Sequence, residues 1–140
     1  QTTVTFTWDK ALALDGNSAP YLQYAHARIA SVRDKFSEQF PGVDPTRLPI
    51  RISVPVERAL TVKLARFPEV VLRAASAYRP NYVADYLYDL AQTYSTFYQN
   101  VPFLKAEEGL RESRVQLCIL TARVLKSGLE LLGIETPERI

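Results

Sequence analysis

Few side chains in these 140 residues could do covalent or acid-base chemistry, and two of those types occur once each: His26 and Cys118. A nucleophile works only with a base placed beside it, and a lone histidine and a lone cysteine far apart in sequence supply no visible pair. Cys118 lies inside the apolar run "QLCILTARVL" and reads as a small core residue. With no second cysteine an internal disulfide is impossible, which suits a reducing cytosol. His26 follows Ala25 by one position and precedes Ile29 by three, so it reads as a structural histidine, packed in the core or exposed on its flank. Asp85 with Asp89, and Glu107 with Glu108, are carboxylate pairs, but solvated helix faces and first-turn acids account for both. There is no glycine-rich phosphate loop and no His/Cys cluster at metal-ligand spacing. The residues therefore imply no catalytic group, no metal site and no bound cofactor in this stretch.

Binding chemistry is better represented. In "NSAPYLQYAHARIASVRDK", Tyr21, Tyr24, Arg28, Ser31 and Lys35 recur three and four apart, about 100° round a helix from the apolar residues beside them. Tyrosine rings can stack on unpaired bases for about 1–3 kcal/mol each, and an arginine can meet a phosphate or lie flat on a ring. The same pattern fits tyrosines that cap the edge of a helical core with their hydroxyls in water and an arginine paired with an acid. A second aromatic group, Tyr82, Tyr86, Tyr88, Tyr94 and Tyr98, falls within "NYVADYLYDLAQTYSTFYQN". Only Tyr94 lies on that segment's apolar stripe, and Tyr98 lies at its edge.

The elements that must hold these residues are helical. Ser18 reads as an N-cap with Pro20 in the first turn, followed by Leu22, Ala25, Ile29, Val32 and Phe36 on one face. That helix of about five turns should stop before Pro41, and "PGVDPTRLP" reads as a surface loop. Two shorter helices are expected over residues 56–65 and 68–77, then a long one between Pro80 and Pro102 with Val83, Leu87, Leu90, Tyr94 and Phe97 inside. A last helix is expected over residues 106–132, burying Leu110, Leu117, Leu120, Val124 and Leu131, with Gly133 as its left-handed cap and Ile134 folding back on Leu129. Residues 2–8 alternate weakly, as a short strand or an extended lead-in would. The prediction is an all-α fold, an antiparallel bundle of four to five helices forming one domain over residues 1–140.

The charge balance, 17 basic against 15 acidic residues, is only +2, so nucleic-acid binding would need a local patch. No apolar run reaches the ~18 residues of a membrane span. The chain has no methionine, so Gln1 is not expected to begin a translated product.

Four segments resemble the C-terminal, or DALR, anticodon-binding domain of arginyl-tRNA synthetases. They are "GNSAPYLQYAHARIASV" (16–32), "KLARFPEVV" (63–71), "RPNYVADYLYDLAQTYSTFY" (79–98) and "SRVQLCILTARVLKSGLELLGIETPERI" (113–140), in the family's order. The resemblance implies tRNA(Arg) as partner, with Tyr21 and Tyr24 of "PYLQY", Arg28 of "AHAR" and Tyr98 holding the splayed anticodon loop. Ile140 stands where the family usually ends in a methionine that shapes the anticodon pocket. All arginine anticodons share a central C, so one pocket could serve them all, with main-chain groups of residues 137–140 on the base edge and a tyrosine on its face.

The family's HIGH-like and KMSK-like signatures are absent, as is its N-terminal domain. The implication is the non-catalytic end of a larger cytoplasmic synthetase, monomeric, with ATP and Mg needed only in a catalytic domain joined in cis. The rival reading is a free-standing helical adaptor that binds a protein through the same Tyr/Arg-rich face.

Overall fold

The structure is a computed structural model that describes residues 5–13 and 15–137. Its helices are α1 (Trp8–Ala11), α2 (Ala19–Gln39), α3 (Pro55–Ala65), α4 (Phe67–Ala77), α5 (Asn81–Asn100) and α6 (Leu110–Leu131). A single 3₁₀ turn, Pro45–Arg47, interrupts the loop after α2. Among the described residues there is no strand: Thr5–Thr7 are irregular and Trp8 opens the one-turn α1. The rest of the weakly alternating segment, residues 2–4, lies outside the described residues.

Helix ends follow local chemistry. Ser18 caps α2, its Oγ accepting from the Tyr21 amide at 3.3 Å, with Pro20 in the first turn where its missing N–H costs nothing. The C-terminus of α6 closes as a Schellman motif: Gly133 takes φ +74°, its amide donates to Glu130, and the Ile134 amide donates to Leu129 at 2.9 Å. The N-terminus of α6 is four residues later than the sequence pattern suggests. Gly109 at φ +83° breaks the chain there, and the Glu112 carboxylate reaches back to accept the Gly109 amide. Arg66, with Pro68 two residues on, separates α3 from α4.

α6 packs on α2, α3 and α5, while α5 also packs on α3 and α4, so α5 and α6 form the centre. α6 is antiparallel to both long neighbours: Tyr94 meets Cys118 where Leu87 meets Gly128, and Gln23 meets Glu135 where Phe40 meets Arg111. α2 and α5 run the same way side by side, since Asn17 bonds Asp85, Tyr21 meets Tyr88 and Gln92, and Arg28 covers Tyr98. The intervening α3–α4 pair returns the chain and makes that parallel neighbourhood possible.

The apolar stripes of α2 and α5 are buried as their spacing implies, Leu22, Ile29, Phe36, Leu87, Leu90 and Phe97 all at 3% exposure or less. Two details differ. On α6 the buried face is Val115, Leu117, Cys118, Thr121, Leu125, Gly128 and Leu129, while Leu110, Leu120 and Val124 are half-buried and Leu131 is exposed. The stripe passes through Thr121, whose hydroxyl bonds the Leu117 carbonyl, and through Gly128, positions that apolar counting skips. Gly128 is required by close approach, because a Cβ there would lie 2.5 Å from Leu87 Cδ2. On α5, Tyr86 is buried as well as Tyr94, because α3 and α4 cover a second side of that helix. Its ring stacks on Phe67 and its hydroxyl donates to the Lys63 carbonyl at 2.9 Å. Burial pushes the Tyr86 phenol up to about 12.

Candidate nucleic-acid interface

Side by side and parallel, α2 and α5 bring their aromatic faces to one flank. Tyr21, Tyr24 and Arg28 from α2 line a shallow slot of ≈ 50 Å³ with Ala91, Tyr94 and Ser95 of α5. Ala91 and Ser95 are small, which is what leaves the slot open between the rings. Tyr21 is half-buried, edge-on to Tyr88 at 5.7 Å, and its hydroxyl accepts from Gln92 Nε2 at 3.1 Å. Burial, and then the neighbouring Tyr88, raise its phenol above the ordinary value, with Arg28 opposing. Tyr24 is the open ring of the set, 47% exposed.

Arg28 stands over Tyr98, its guanidinium carbon 4.3 Å from the ring centroid. Tyr98 is half-buried and is backed by Phe103 at 5.2 Å and Tyr94 at 6.1 Å. No carboxylate among the described residues pairs with Arg28. The pairing with an acid that the sequence left open is thus not seen among those residues, and the positive charge of Arg28 rests on a π-face.

Four residues singled out by sequence, Tyr21, Tyr24, Arg28 and Tyr98, thus converge on one flank. Ile140, and the main-chain groups of residues 138–140, lie outside the described residues. Sequence reasoning missed Gln92, Ser95 and Phe103, and it grouped Tyr88 with the other α5 tyrosines without placing it beside Tyr21. Their signal was the parallel pairing of α2 with α5, which no local pattern carries.

The remaining chemistry is inward-facing or surface-solvated. Cys118 is fully buried with its thiol pushed up to about 12 by burial, too little ionised at neutral pH to act as a nucleophile. Asp85 accepts from Asn17, and Asp89 pairs with Lys63, so neither stands free as an acid-base pair. Among the described residues no group of three His, Cys, Asp or Glu side chains could hold a metal ion. None of their helices is long and apolar enough to cross a membrane.

The described residues form a helical bundle whose aromatic flank carries a guanidinium stacked on a ring, an arrangement suited to recognition. Comparison with known proteins specifies it. The family model described as DALR anticodon binding domain matches residues 22–140, and the chain belongs to that family. The arginine–tRNA ligase of Marinomonas sp. (strain MWYL1) is 48% identical over 137 residues, which cover 96% of this chain and 23% of that relative. The solved arginyl-tRNA synthetase of Thermus thermophilus superposes with TM-score 0.83 at 38% identity, and that of Plasmodium falciparum with 0.80 at 26%; each match covers 96% of this chain and 23% of the larger one. The chain therefore spans about a quarter of the relatives it matches. Nothing among them supports the free-standing adaptor.

Proposed function

We propose that these 140 residues are one anticodon-binding unit of a longer arginine–tRNA ligase, and that the α2–α5 flank holds the anticodon loop of tRNA(Arg). Domain-family membership and likeness to arginyl-tRNA synthetases support this reading. The observation that carries it is Arg28, stacked on Tyr98 with no carboxylate partner among the described residues and flanked by Tyr21 and Tyr24. Unpaired bases are recognised by stacking on tyrosine faces and guanidinium planes, while phosphates are met by the cation.

In this reading Tyr24, the exposed ring, takes a base face. Tyr21, steadied by Gln92 and Tyr88, forms the wall, and Arg28 on Tyr98 meets a base edge or phosphate. The family resemblance assigns a share in reading the central C to Ile140, which lies outside the described residues. Arginylation, with ATP and Mg, belongs to the catalytic part of the longer enzyme, to which this domain presents a positioned tRNA. A monomer in the cytoplasm is the setting the reading calls for.

The test is a titration of the chain with labelled tRNA(Arg) anticodon stem–loop and with a stem–loop whose central C is replaced, each at two salt concentrations. The reading expects tighter binding of the C-containing loop and a negative salt dependence. Equal affinity for both loops would refute base-specific recognition, and salt-independent binding would refute phosphate contact.

A further inference from the structure

The opposite flank of α2 holds a feature that the tyrosine face does not use. Where α2 crosses α6 the molecule forms a half-open cavity of ≈ 470 Å³, within the size range of ligand sites. Its apolar floor is made by Ile29 and Ala30 of α2 with Ile119 and Ala122 of α6. Polar groups ring that floor: His26, Thr46 of the loop after α2, and Arg123 and Lys126 of α6.

Three of these groups stand out. His26 is 7% exposed, and its buried Nδ1 has no hydrogen-bond partner. Buried polar atoms are nearly always satisfied, so a ring nitrogen left without a partner on a residue that lines a cavity marks a polar need that a ligand seated there would meet. Arg123 is exposed and has no ion-pair partner among the described residues, and Lys126 reaches Glu130 only at 4.0 Å between two largely exposed side chains. The cavity also has a carboxylate on its wall, Asp44, which accepts from the amide and hydroxyl of Thr46 and pairs with Arg47.

We propose that this cavity is a second nucleotide seat, taking one unpaired nucleotide of the RNA whose other bases lie on the tyrosine flank. A flat base fits against the aliphatic floor, the His26 imidazole bonds the base edge or the ribose hydroxyl, and Arg123 with Lys126 meets the adjoining phosphates. Tyr24 and Arg28 lie on one side of α2 and His26 and Ala30 on the other. The two sites are thus separated by one helix diameter, about 10–12 Å, a span that a splayed loop of a few nucleotides crosses.

This inference rests on the RNA-binding reading above, and one set of titrations with the labelled anticodon stem–loop separates the two. The double variant Arg123→Ala/Lys126→Ala should bind about tenfold more weakly, with a log–log salt slope shallower by about one to two, since each phosphate contact contributes roughly 0.7 on single strands. His26→Phe, which keeps the ring but removes its nitrogens, should weaken binding several-fold without changing the slope. Thermal melts of both variants should match the parent. If both bind like the parent while Arg28→Ala binds more weakly, the seat is refuted and the tyrosine flank stands. A loss confined to the double variant, with His26→Phe unchanged, also refutes the seat and leaves surface charge alone. No binding by the parent chain refutes both.

Discussion

Arg114 and Arg28 sit on helices of the same bundle and meet opposite fates. At the junction of α3 and α6, Arg114 is 5% exposed; its Nε donates to Glu57 Oε1 at 2.7 Å and its Nη1 to the Pro102 carbonyl at 2.7 Å. The other Glu57 oxygen accepts from the amides of Ser53 and Val54 and from the Ser53 hydroxyl. Every charge there is spent inside the protein, tying the start of α3 to α6 and to the segment that follows α5. On the α2–α5 flank Arg28 has a ring beneath it and, among the described residues, no acid beside it. Internally satisfied charge fixes an architecture; charge left unsatisfied on a ring is free to meet something that arrives. Composition could not separate the two arginines, because their difference lies in their neighbours.

Mutations at the closed junction should have the largest effect. Glu57→Ala or Arg114→Ala leaves a buried charge without its partner and should lower unfolding free energy by about 3–5 kcal/mol, read from urea denaturation. Removing both should cost less than the sum of the singles, which a double-mutant cycle measures. Burial alone would raise the Glu57 carboxyl, but the Ser53 amide, Arg114 and the Val54 amide outweigh it and hold it below the ordinary 4.5. Its contribution is therefore full above about pH 4.5 and is lost as pH falls through the depressed folded value. An acid titration in which Glu57→Gln lost stability as steeply as the parent would break this part of the comparison.

The next largest effect belongs to the α5–α6 contact. Gly128→Ala drives a methyl into Leu87 and should cost about 1–3 kcal/mol, again by denaturation. Smaller still is Tyr86→Phe, which removes one hydrogen bond to Lys63 and should cost about 0.5–1.5 kcal/mol. Because the folded Tyr86 phenol is raised to about 12, the parent keeps its stability below pH 10 and loses it as pH climbs from 10 towards 12. The Phe variant should lose less over that interval.

The parts of the molecule that could be read from sequence are those whose causes are local. Ser18, Pro20, Gly133 and the stripes of α2 and α5 each act within a turn or two, and the structure has them as their spacing implies. The α6 stripe was misjudged because Thr121 and Gly128 serve it without being apolar. Tyr86 was misplaced because a helix packed on two sides buries a wider arc than one stripe. The family resemblance picked out Tyr21, Tyr24, Arg28 and Tyr98, but their meeting on one flank depends on α2 and α5 lying parallel, a property of topology. The His26 cavity was illegible for the same reason, since its wall comes from a loop and a helix far along the chain.

The central claim, that Arg28 serves a ligand and Arg114 serves the fold, is tested most directly by one paired measurement on Arg28→Ala. Its melting curve should change little, because a cation–π contact at a surface site is worth about 0.5–1 kcal/mol. Its affinity for the tRNA(Arg) anticodon stem–loop should fall at least tenfold, with a salt slope shallower by about one if Arg28 meets a phosphate. A variant that melts far below the parent, or that binds the stem–loop as the parent does, would contradict the account.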